Sequence, residues 1–279
     1  MSGFPVVRDV KIGPVTVGGR VPFALIAGPD VIESEQSALR HAERIAAITR
    51  RAGIPYIFKC SYDKANRTSG RSYRGPGLKK GLAVLAKVRR AVGVPVTSDV
   101  HEVAQVKAAA EVLDLIQVPA FLSRQTDLLV AVAKTGKPVN VKKGQFLAPW
   151  DMQTVVEKLT AAGARKIVLT ERGTTFGYNR LVNDMTALPQ LRAFGYPVFF
   201  DAGHSTQQPG GLGRASGGTR AFIPVLARAG VAAGCDGVFV EVHEHPARAL
   251  CDGPSSLPLK DLPALLDQLL SIAALLRRS

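Results

Sequence analysis

The sequence predicts a (β/α)8 barrel, the fold also called a TIM barrel, and two observations carry that prediction. Short apolar runs, typical of parallel strands that are covered on both faces, recur along the 279 residues. Segments with the hydrophobic spacing of helices separate these runs, and the length fits one barrel of ~250 residues, so we expect residues 1–279 to form one domain. The runs are Phe23–Ala27, Ile54–Phe58, Val94–Thr97, Leu113–Ile116, Pro138–Val141, Ile167–Leu169, Pro197–Phe200 and Gly237–Val240.

The elements outside these runs are predicted by their own patterns. Residues 1–22 precede the first run, and Val6–Val21 alternates in hydrophobicity, so we expect an N-terminal β-hairpin that caps the bottom of the barrel. Glu33–Arg51 has apolar residues at helical spacing and is followed by Gly53, a typical helix stop. The last helix is predicted to begin near Asp261 and to present a stripe of leucines.

Composition argues against several classes of protein. The chain has a net charge of +14, is 46% hydrophobic, and contains no uncharged apolar stretch long enough to cross a membrane. Part of the basic excess lies on predicted helices, and no nucleic-acid-binding motif accompanies it, so we expect neither a nucleic acid nor a membrane as partner. We expect no signal peptide, and three cysteines without a disulfide spacing favour the cytoplasm.

Polar or charged residues follow almost every apolar run, at the end of the strand where a barrel carries its chemistry. They are Gly28-Pro29-Asp30, Lys59, Asp99, Gln117, Lys142-Lys143, Glu171-Arg172, Asp201 with His204, and Glu241 with His243. The cations among them and in the following loops are Lys59, Lys64, Arg67, Lys142 and Arg172. A barrel mouth with this many cations is expected to bind more than one phosphate or carboxylate.

Three loops at this end of the predicted barrel leave alternatives open. Lys59–Thr68 combines lysines, an arginine, an amide and hydroxyls, which favours an anion site over an ordinary exposed loop. Ser72–Gly77 contains Arg74, which either closes over a substrate or belongs to a plain connecting turn. Gln207–Gly218 is rich in glycine but matches no phosphate-binding fingerprint, so it is either a mobile lid or a surface loop.

Lys142 ends the fifth predicted strand, and two roles suit a lysine in this place. It is either a Schiff-base nucleophile or a cation that binds phosphate. A neutral, reactive lysine requires a dry pocket. Because Lys143 is adjacent and Arg172 follows the next strand, we favour an anion site in which Lys142 stays charged.

Four residues with hard ligand atoms are expected to meet at the barrel mouth. His204 and Glu241 follow neighbouring strands, Asp252 lies in the next loop, and Asp30 follows the first strand, which closes the barrel beside the eighth. Each residue alone is more simply a hydrogen-bonded loop side chain. Together, one histidine and three carboxylates suit a divalent ion such as Mn²⁺ or Fe²⁺.

Motifs along nearly the whole chain occur in the order of a known family. They are Phe58-Lys59, Asp63–Arg67, Ser72–Gly77, Asp99–Glu102, Gln117–Phe121, Arg124–Asp127, Asn140–Lys143, Arg172-Gly173, Phe176–Tyr178, Asp201 with His204-Ser205, Ala215–Gly218 and Cys251–Ser255. With these motifs the chain resembles the 3-deoxy-D-manno-octulosonate 8-phosphate synthase family. Lys64-Ala65-Asn66-Arg67 separates that family from the related heptulosonate phosphate synthases.

The resemblance implies a homotetrameric barrel that condenses phosphoenolpyruvate with D-arabinose 5-phosphate for lipopolysaccharide biosynthesis. The residues implied to hold phosphoenolpyruvate are Lys59, Lys64, Gln117, Lys142, Arg172 and His204. The residues implied to hold the sugar phosphate are Asn66, Arg67 and Thr68, with Ser216 as a further substrate contact and Arg124 reaching the phosphate of a neighbouring subunit. The candidate catalytic residues are Asp99, near the reacting aldehyde, and Lys142, His204 and Asp252.

Position 30 departs from the family pattern. The metal-requiring branch has Cys at this position and the metal-free branch has Asn, whereas this chain has Asp30. Gly28-Pro29 and Gln208–Gly211 resemble the metal branch, and Cys251–Pro254 resembles the metal-free branch. Three carboxylates beside an anionic substrate would repel it, so we predict that the four hard ligands bind Mn²⁺, Fe²⁺ or Mg²⁺ rather than Zn²⁺. In the alternative, Asp30 replaces the Asn and hydrogen-bonds the substrate.

Other functions stay open at the level of the sequence. A heptulosonate phosphate synthase would use erythrose 4-phosphate as its acceptor. A Schiff-base barrel aldolase would use Lys142, but it would not need the cation-rich second loop. A basic polyanion-binding protein would bind nucleic acid in a salt-sensitive manner and would not need strand-end residues that converge.

Overall fold

A computed structural model describes residues 6–19, 21, 23–213 and 215–277, and within them eight parallel strands close into a barrel. Each strand pairs with the next along the chain, and the pairing of the eighth strand with both the seventh and the first completes the ring. The predicted (β/α)8 barrel is therefore confirmed. The barrel strands are β1 Ala24–Gly28, β2 Tyr56–Lys59, β3 Val96–Asp99, β4 Leu115–Val118, β5 Val139–Lys142, β6 Ile167–Glu171, β7 Val198–Asp201 and β8 Gly237–His243.

A helix follows each strand and packs its apolar side on the outside of the barrel. Helix α1 begins after Ser34, whose side chain accepts a hydrogen bond from the amide of Ser37 at 3.1 Å, and it ends at Gly53 with φ 66°. No helix in the described ranges is long and apolar enough to cross a membrane. The helices are α1 Glu35–Ala52, α2 Leu78–Val92, α3 Val103–Val112, α4 Thr126–Ala133, α5 Met152–Ala161, α6 Ala187–Arg192, α7 Ile223–Ala232 and α8 Leu262–Arg277.

The barrel strands lie further toward the C-terminus than most of the apolar runs indicate. Lys59, Asp99, Lys142 and Asp201 are the last residues of β2, β3, β5 and β7, and all four are buried. Apolar patterning misses these residues because their side chains point into the barrel mouth while their backbone stays in the sheet. The strands themselves therefore position the functional groups, which makes them more rigid than loop residues would be.

The predicted N-terminal hairpin is confirmed. Val10–Ile12 pairs in antiparallel fashion with Val15–Val17, and Gly13, with φ 54°, lies in the turn against Pro95 and Asp114. Since these two residues precede β3 and β4, the hairpin covers the bottom of the barrel, where its valines and isoleucine join a buried cluster with Phe199 and other inward-facing side chains. Residues 1–5, 20 and 22 of the predicted extension lie outside the described residues.

Candidate active site

The C-terminal ends of the strands open into a cavity of about 180 Å³ that brings most of the predicted site residues together. The predicted residues that line it are Lys59, Lys64, Asn66, Arg67, Thr68, Asp99, Gln117, Lys142, Arg172, His204, Ser216 and Asp252. Asp30 and Glu241 are buried at its floor, next to Lys59. Arg124 is exposed and does not line the cavity.

Lys59 and Lys64 neutralise the carboxylates at the floor. The Nζ of Lys59 lies 2.8 Å from Glu241 Oε1 and 3.2 Å from Asp30 Oδ1, and the Nζ of Lys64 contacts the same oxygen of Asp30. Burial alone would raise the pKa of Asp30, but the two ammonium groups and His204 hold it well below its usual range. Two lysines therefore already supply positive charge to these carboxylates, so charge balance alone does not require a metal.

Asp201 connects two of the predicted catalytic residues. Its Oδ2 lies 2.6 Å from the Nζ of Lys142 and 2.8 Å from the Nδ1 of His204. Burial lowers the pKa of Lys142 although Asp201 opposes the shift, whereas Asp201 raises the pKa of His204 above its ordinary value against the effect of burial. The ring of Phe239 also lies beneath Lys142, with its centroid 3.6 Å from Nζ.

Asp99 presents an ionised carboxylate on the opposite wall of the cavity. Ser61 Oγ donates a hydrogen bond to its Oδ1, and the Nε2 of His101 lies 3.0 Å from its Oδ2. Burial favours the neutral acid, but Lys64 and His101 outweigh it and lower the pKa of Asp99. Asp99 can therefore accept hydrogen bonds from a hydroxyl or a water in the cavity at neutral pH.

The glycine-rich stretch contributes directly to the cavity through its first residue. Gln207–Gln208 and Gly217–Gly218 pair as a short antiparallel hairpin, so the stretch is partly ordered, and its mobility as a lid stays a prediction. Gln207 Oε1 accepts a hydrogen bond of 2.8 Å from Arg172 Nη2, and Gln207 Nε2 donates to Asp252. Gln207 therefore links two predicted site residues. Arg214, within the same stretch, lies outside the described residues.

Lys143 does not join the cluster of cations, contrary to the sequence-based expectation. Its Nζ donates hydrogen bonds of 3.1 Å to the carbonyl oxygens of Gly144 and Leu147 and lies 3.6 Å from the carboxylate of Glu171. Successive residues of a strand face opposite sides, so Lys143 and Lys142 cannot both point into the mouth. Lys143 and Glu171 instead form a buried ion pair behind the site.

The structure places Arg74 in a connecting turn outside the cavity, and its closure over a substrate stays a prediction. The Nε of Arg74 donates a hydrogen bond of 2.8 Å to Asp63 Oδ1, and the side chain is exposed rather than directed into the cavity. Its carbonyl oxygen accepts a hydrogen bond of 2.7 Å from the amide of Lys64. Arg74 thus supports the backbone that carries Lys64.

Three of the residues predicted to bind a metal, Asp30, His204 and Glu241, have ligand atoms within 4.8 Å of one another. The Nε2 of His204 lies 3.7 Å from an oxygen of Asp30 and 3.7 Å from an oxygen of Glu241. An oxygen of Asp252 lies 3.6 Å from the same nitrogen. Ligands about 2.1–2.2 Å from a four-coordinate ion are separated by roughly 3.5 Å, so the spacing suits such a site.

Two further observations favour a cation among these ligands. Asp30 Oδ2 and Glu241 Oε2 are buried and have no hydrogen-bond partner within the described part of the chain. The carboxylate of Asp201 lies 2.8 Å from the Nδ1 of His204, so the opposite ring nitrogen, Nε2, faces the other carboxylates, an arrangement common for metal-binding histidines. The donor set therefore fits a divalent ion, although Lys59 and Lys64 already pair with part of it.

Sequence reasoning placed Asp201 at the barrel mouth without a role, and it missed Gln207, Phe239 and Cys251 as members of the site. Asp201 and Gln207 were visible as strand-end and loop residues, but neither had a partner that the sequence could identify. Cys251 lines the cavity, and its Sγ contacts a guanidinium nitrogen of Arg67. Burial and the nearby carboxylates raise the pKa of the Cys251 thiol. Its position directly before Asp252, within the Cys251–Ser255 motif, was the signal that could have identified it.

Comparison with known proteins identifies similar chains over nearly the full length. Residues 6–277 match the family model described as the DAHP synthetase I family. The chain is 61% identical over 270 residues to the 2-dehydro-3-deoxyphosphooctonate aldolase of Geobacter metallireducens, covering 97% of this chain and 99% of that protein. It is 59% identical, with the same coverage, to the protein of that name from Trichlorobacter lovleyi, and 58% identical to the one from Geobacter sulfurreducens.

Proposed function

The chain belongs to the DAHP synthetase I family, and from that premise we propose that its site condenses phosphoenolpyruvate with D-arabinose 5-phosphate and water. The products are 3-deoxy-D-manno-octulosonate 8-phosphate, a precursor for lipopolysaccharide, and inorganic phosphate. The phosphooctonate in the relatives' name is this eight-carbon product. One observation carries the proposal: the cation-lined cavity at the barrel mouth contains the octulosonate-type Lys64–Arg67 motif.

The cavity contains two groups of side chains, and each group binds one of the two substrates. Lys142 and Arg172 provide cations for the phosphate and carboxylate of phosphoenolpyruvate, with the amide of Gln117 beside them. The buried Lys59, Lys64 and His204 complete this group at the floor. The sugar phosphate meets the more exposed side chains of Asn66, Arg67, Thr68 and Ser216 nearer the rim.

The chemistry follows from this arrangement. The C3 carbon of phosphoenolpyruvate forms a bond with the aldehyde carbon of the sugar, and the aldehyde oxygen takes up a proton to become a hydroxyl. Water adds to C2, where positive charge develops, and loses a proton. The resulting hemiketal phosphate breaks its C2–O bond, transfers its remaining hydroxyl proton and releases phosphate. Lys142 and Arg172 hold the anions in place, and the ionised Asp99 orients the aldehyde end of the sugar.

We also propose that Asp30, His204, Glu241 and Asp252 bind a divalent ion, with Mn²⁺, Fe²⁺ and Mg²⁺ as candidates. The buried carboxylate oxygens without partners and the orientation of His204 support this assignment. Such an ion would polarise the aldehyde or orient the water, without a change of redox state. The pairing of Asp30 with Lys59 and Lys64 supports the alternative, in which Asp30 is a hydrogen-bonding group of a metal-free site.

A homotetramer in the cytoplasm completes the proposal. Arg124 is exposed outside the cavity, which suits a contact with the sugar phosphate of a neighbouring subunit. Cys60, Cys235 and Cys251 are free thiols in the described structure, which suits a reducing compartment.

The decisive test is the dependence of phosphate release on the acceptor. Phosphate should be released from phosphoenolpyruvate when arabinose 5-phosphate is present, and the product should have the mass of the eight-carbon sugar acid phosphate. If erythrose 4-phosphate is the far better acceptor, a heptulosonate phosphate synthase replaces the proposed function. A Schiff-base aldolase is not favoured, because it would not need the cation-rich second loop, whose Lys64, Asn66, Arg67 and Thr68 line the cavity. Borohydride trapping with a keto substrate should accordingly leave Lys142 unmodified.

A further inference from the structure

The thiol of Cys251 lies beside two of the four candidate metal ligands, Asp30 and Asp252. Its Sγ, a carboxylate oxygen of Asp30 and a carboxylate oxygen of Asp252 all lie within 4.8 Å of one another. The ligand atoms of Asp30, His204 and Glu241 satisfy the same condition. Asp30 belongs to both groups, so the thiol is part of one continuous cluster of ligand atoms rather than a separate cysteine.

Asp30 gives an independent indication of a missing ligand at this point. Its side chain is 1% exposed, and one of its carboxylate oxygens has no hydrogen-bond partner among the described residues. The other oxygen receives both ammonium groups, from Lys59 and Lys64. A buried carboxylate oxygen without a partner is costly, so it indicates a cation or donor that completes the site.

The loop around Cys251 holds the thiol in place. The amide of Leu250 donates a hydrogen bond of 2.8 Å to Glu33 Oε1, and the amide of Ser255 donates one of 3.0 Å to the carbonyl oxygen of Asp252. Asp252 has φ 50°, a left-handed conformation that is uncommon for a residue with a side chain. As a result, Cys251 and Asp252 both line the cavity although they are consecutive.

We propose that Cys251 binds the divalent ion as a thiolate, together with Asp30 and Asp252. This inference rests on the metal site of the proposed function and adds a soft ligand to it. On binding, the thiol proton leaves to solvent and an S–metal bond forms, with no change of oxidation state. The guanidinium of Arg67 contacts Sγ on the side of the substrate cavity.

A sulfur ligand changes which ions the site prefers. Carboxylate oxygens alone suit Mg²⁺ and Mn²⁺, whereas thiolate favours softer ions such as Fe²⁺, Co²⁺ and Zn²⁺. The site should therefore discriminate against Mg²⁺, and Zn²⁺ should compete more strongly than an oxygen and nitrogen ligand set would allow. Because Arg67, which contacts Sγ, also belongs to the sugar-phosphate group, a metal bound by Cys251 would lie next to the residues proposed to hold the second substrate.

Cobalt spectroscopy on the full-length, metal-stripped protein tests the assignment without turnover. Titration with Co²⁺ should give one ion per chain and a thiolate-to-cobalt charge-transfer band in the near ultraviolet. Cys251→Ser should lose the band and bind Co²⁺ at least about tenfold more weakly. Cys235→Ser and Cys60→Ser are matched controls, because both thiols are buried outside the cavity and should leave the band unchanged.

A second measurement does not depend on the folding of the variant. Bound Zn²⁺ should slow alkylation of Cys251 in the wild-type protein, as quantified by mass spectrometry of the labelled peptide. One Co²⁺ per chain without the band, or a band that persists in Cys251→Ser, overturns the role of Cys251 and leaves the metal site standing. Absence of any Co²⁺ binding overturns both. Neither measurement requires the condensation reaction. Failure of the proposed condensation would therefore be detected separately from failure of the metal assignment.

Discussion

The Nζ of Lys142 and the Oδ2 of Asp201 are 2.6 Å apart at the ends of neighbouring strands, and both side chains are buried. The same Asp201 oxygen lies 2.8 Å from the Nδ1 of His204. One carboxylate therefore orients an ammonium group that faces the predicted phosphoenolpyruvate site and an imidazole that faces the predicted metal site. The two predicted parts of the site are therefore connected through one buried carboxylate.

Replacing Asp201 with Asn should impair catalysis by misplacing both partners. Loss of a charge-assisted hydrogen bond costs about 1.5–3 kcal/mol, so kcat/KM for phosphoenolpyruvate should fall by roughly 10- to 150-fold. Steady-state kinetics of phosphate release would measure the change. Asp267→Asn, on the exposed side of α8, is the matched control and should have no effect. An unchanged kcat/KM in Asp201→Asn would contradict the positioning role.

Arg67→Ala should weaken the binding of the sugar phosphate more than the binding of phosphoenolpyruvate. The guanidinium lines the outer part of the cavity, and loss of a charged contact to phosphate costs about 1.5–3 kcal/mol. The KM for arabinose 5-phosphate should rise accordingly, while the KM for phosphoenolpyruvate changes little. Arg71→Ala, in the same region but exposed and outside the cavity, serves as control. Equal effects on both substrates would place Arg67 in a different role.

Removal of divalent ions should abolish most of the activity if Asp30 is a ligand. Protein treated with EDTA should lose phosphate release and recover it with Mn²⁺, because the ion orients the water or polarises the aldehyde. Asp30→Ala should not be restored by Mn²⁺, whereas Asp267→Ala should behave as the wild type. Full activity of the metal-free protein would decide for the alternative, in which Asp30 hydrogen-bonds the substrate.

Stability should fall in acid because Asp99 and Asp201 are ionised in the folded protein. Burial opposes ionisation, but Lys64 and His101 lower the pKa of Asp99, and His204 and Lys142 lower that of Asp201. A carboxyl group with a lowered folded-state pKa contributes stability above its unfolded value of 3.8, and that contribution is lost as pH falls further. Each carboxyl group that is protonated in the unfolded but not in the folded protein lowers the free energy of unfolding by about 1.4 kcal/mol per pH unit.

Urea denaturation between about pH 5 and pH 2 would measure this loss, because it begins near the unfolded-state value of 3.8 and continues below it. Asp99→Asn should flatten the pH dependence, because the variant has one fewer carboxylate to protonate. Asp267→Asn should leave it unchanged, since that side chain is exposed. A free energy of unfolding that stays constant across this range in the wild-type protein would show that the native ion pairs do not lower these pKa values.

The hydrophobic periodicity of the sequence was sufficient to predict the barrel, but it did not predict the direction in which individual side chains point. The apolar runs located every barrel strand, yet they ended before Lys59, Asp99 and Lys142, which belong to the strands. The charge of Lys143 was assigned to the anion site, although alternation along β5 turns it to the outer side. A pattern of polarity shows that a charge lies near a strand end, but the side it faces depends on the exact end of the strand.

The sequence by itself determined the barrel and the set of groups at its mouth, because the end of every parallel strand in a closed barrel reaches the same rim. Only the tertiary structure decided how those groups are paired. Lys59 with Glu241, Lys142 with Asp201 and Cys251 with Asp30 are far apart along the chain, and their contacts depend on strand register and loop packing. Electrostatic interactions vary steeply with distance and burial, so the balance of charge at the site follows from the folded geometry rather than from composition.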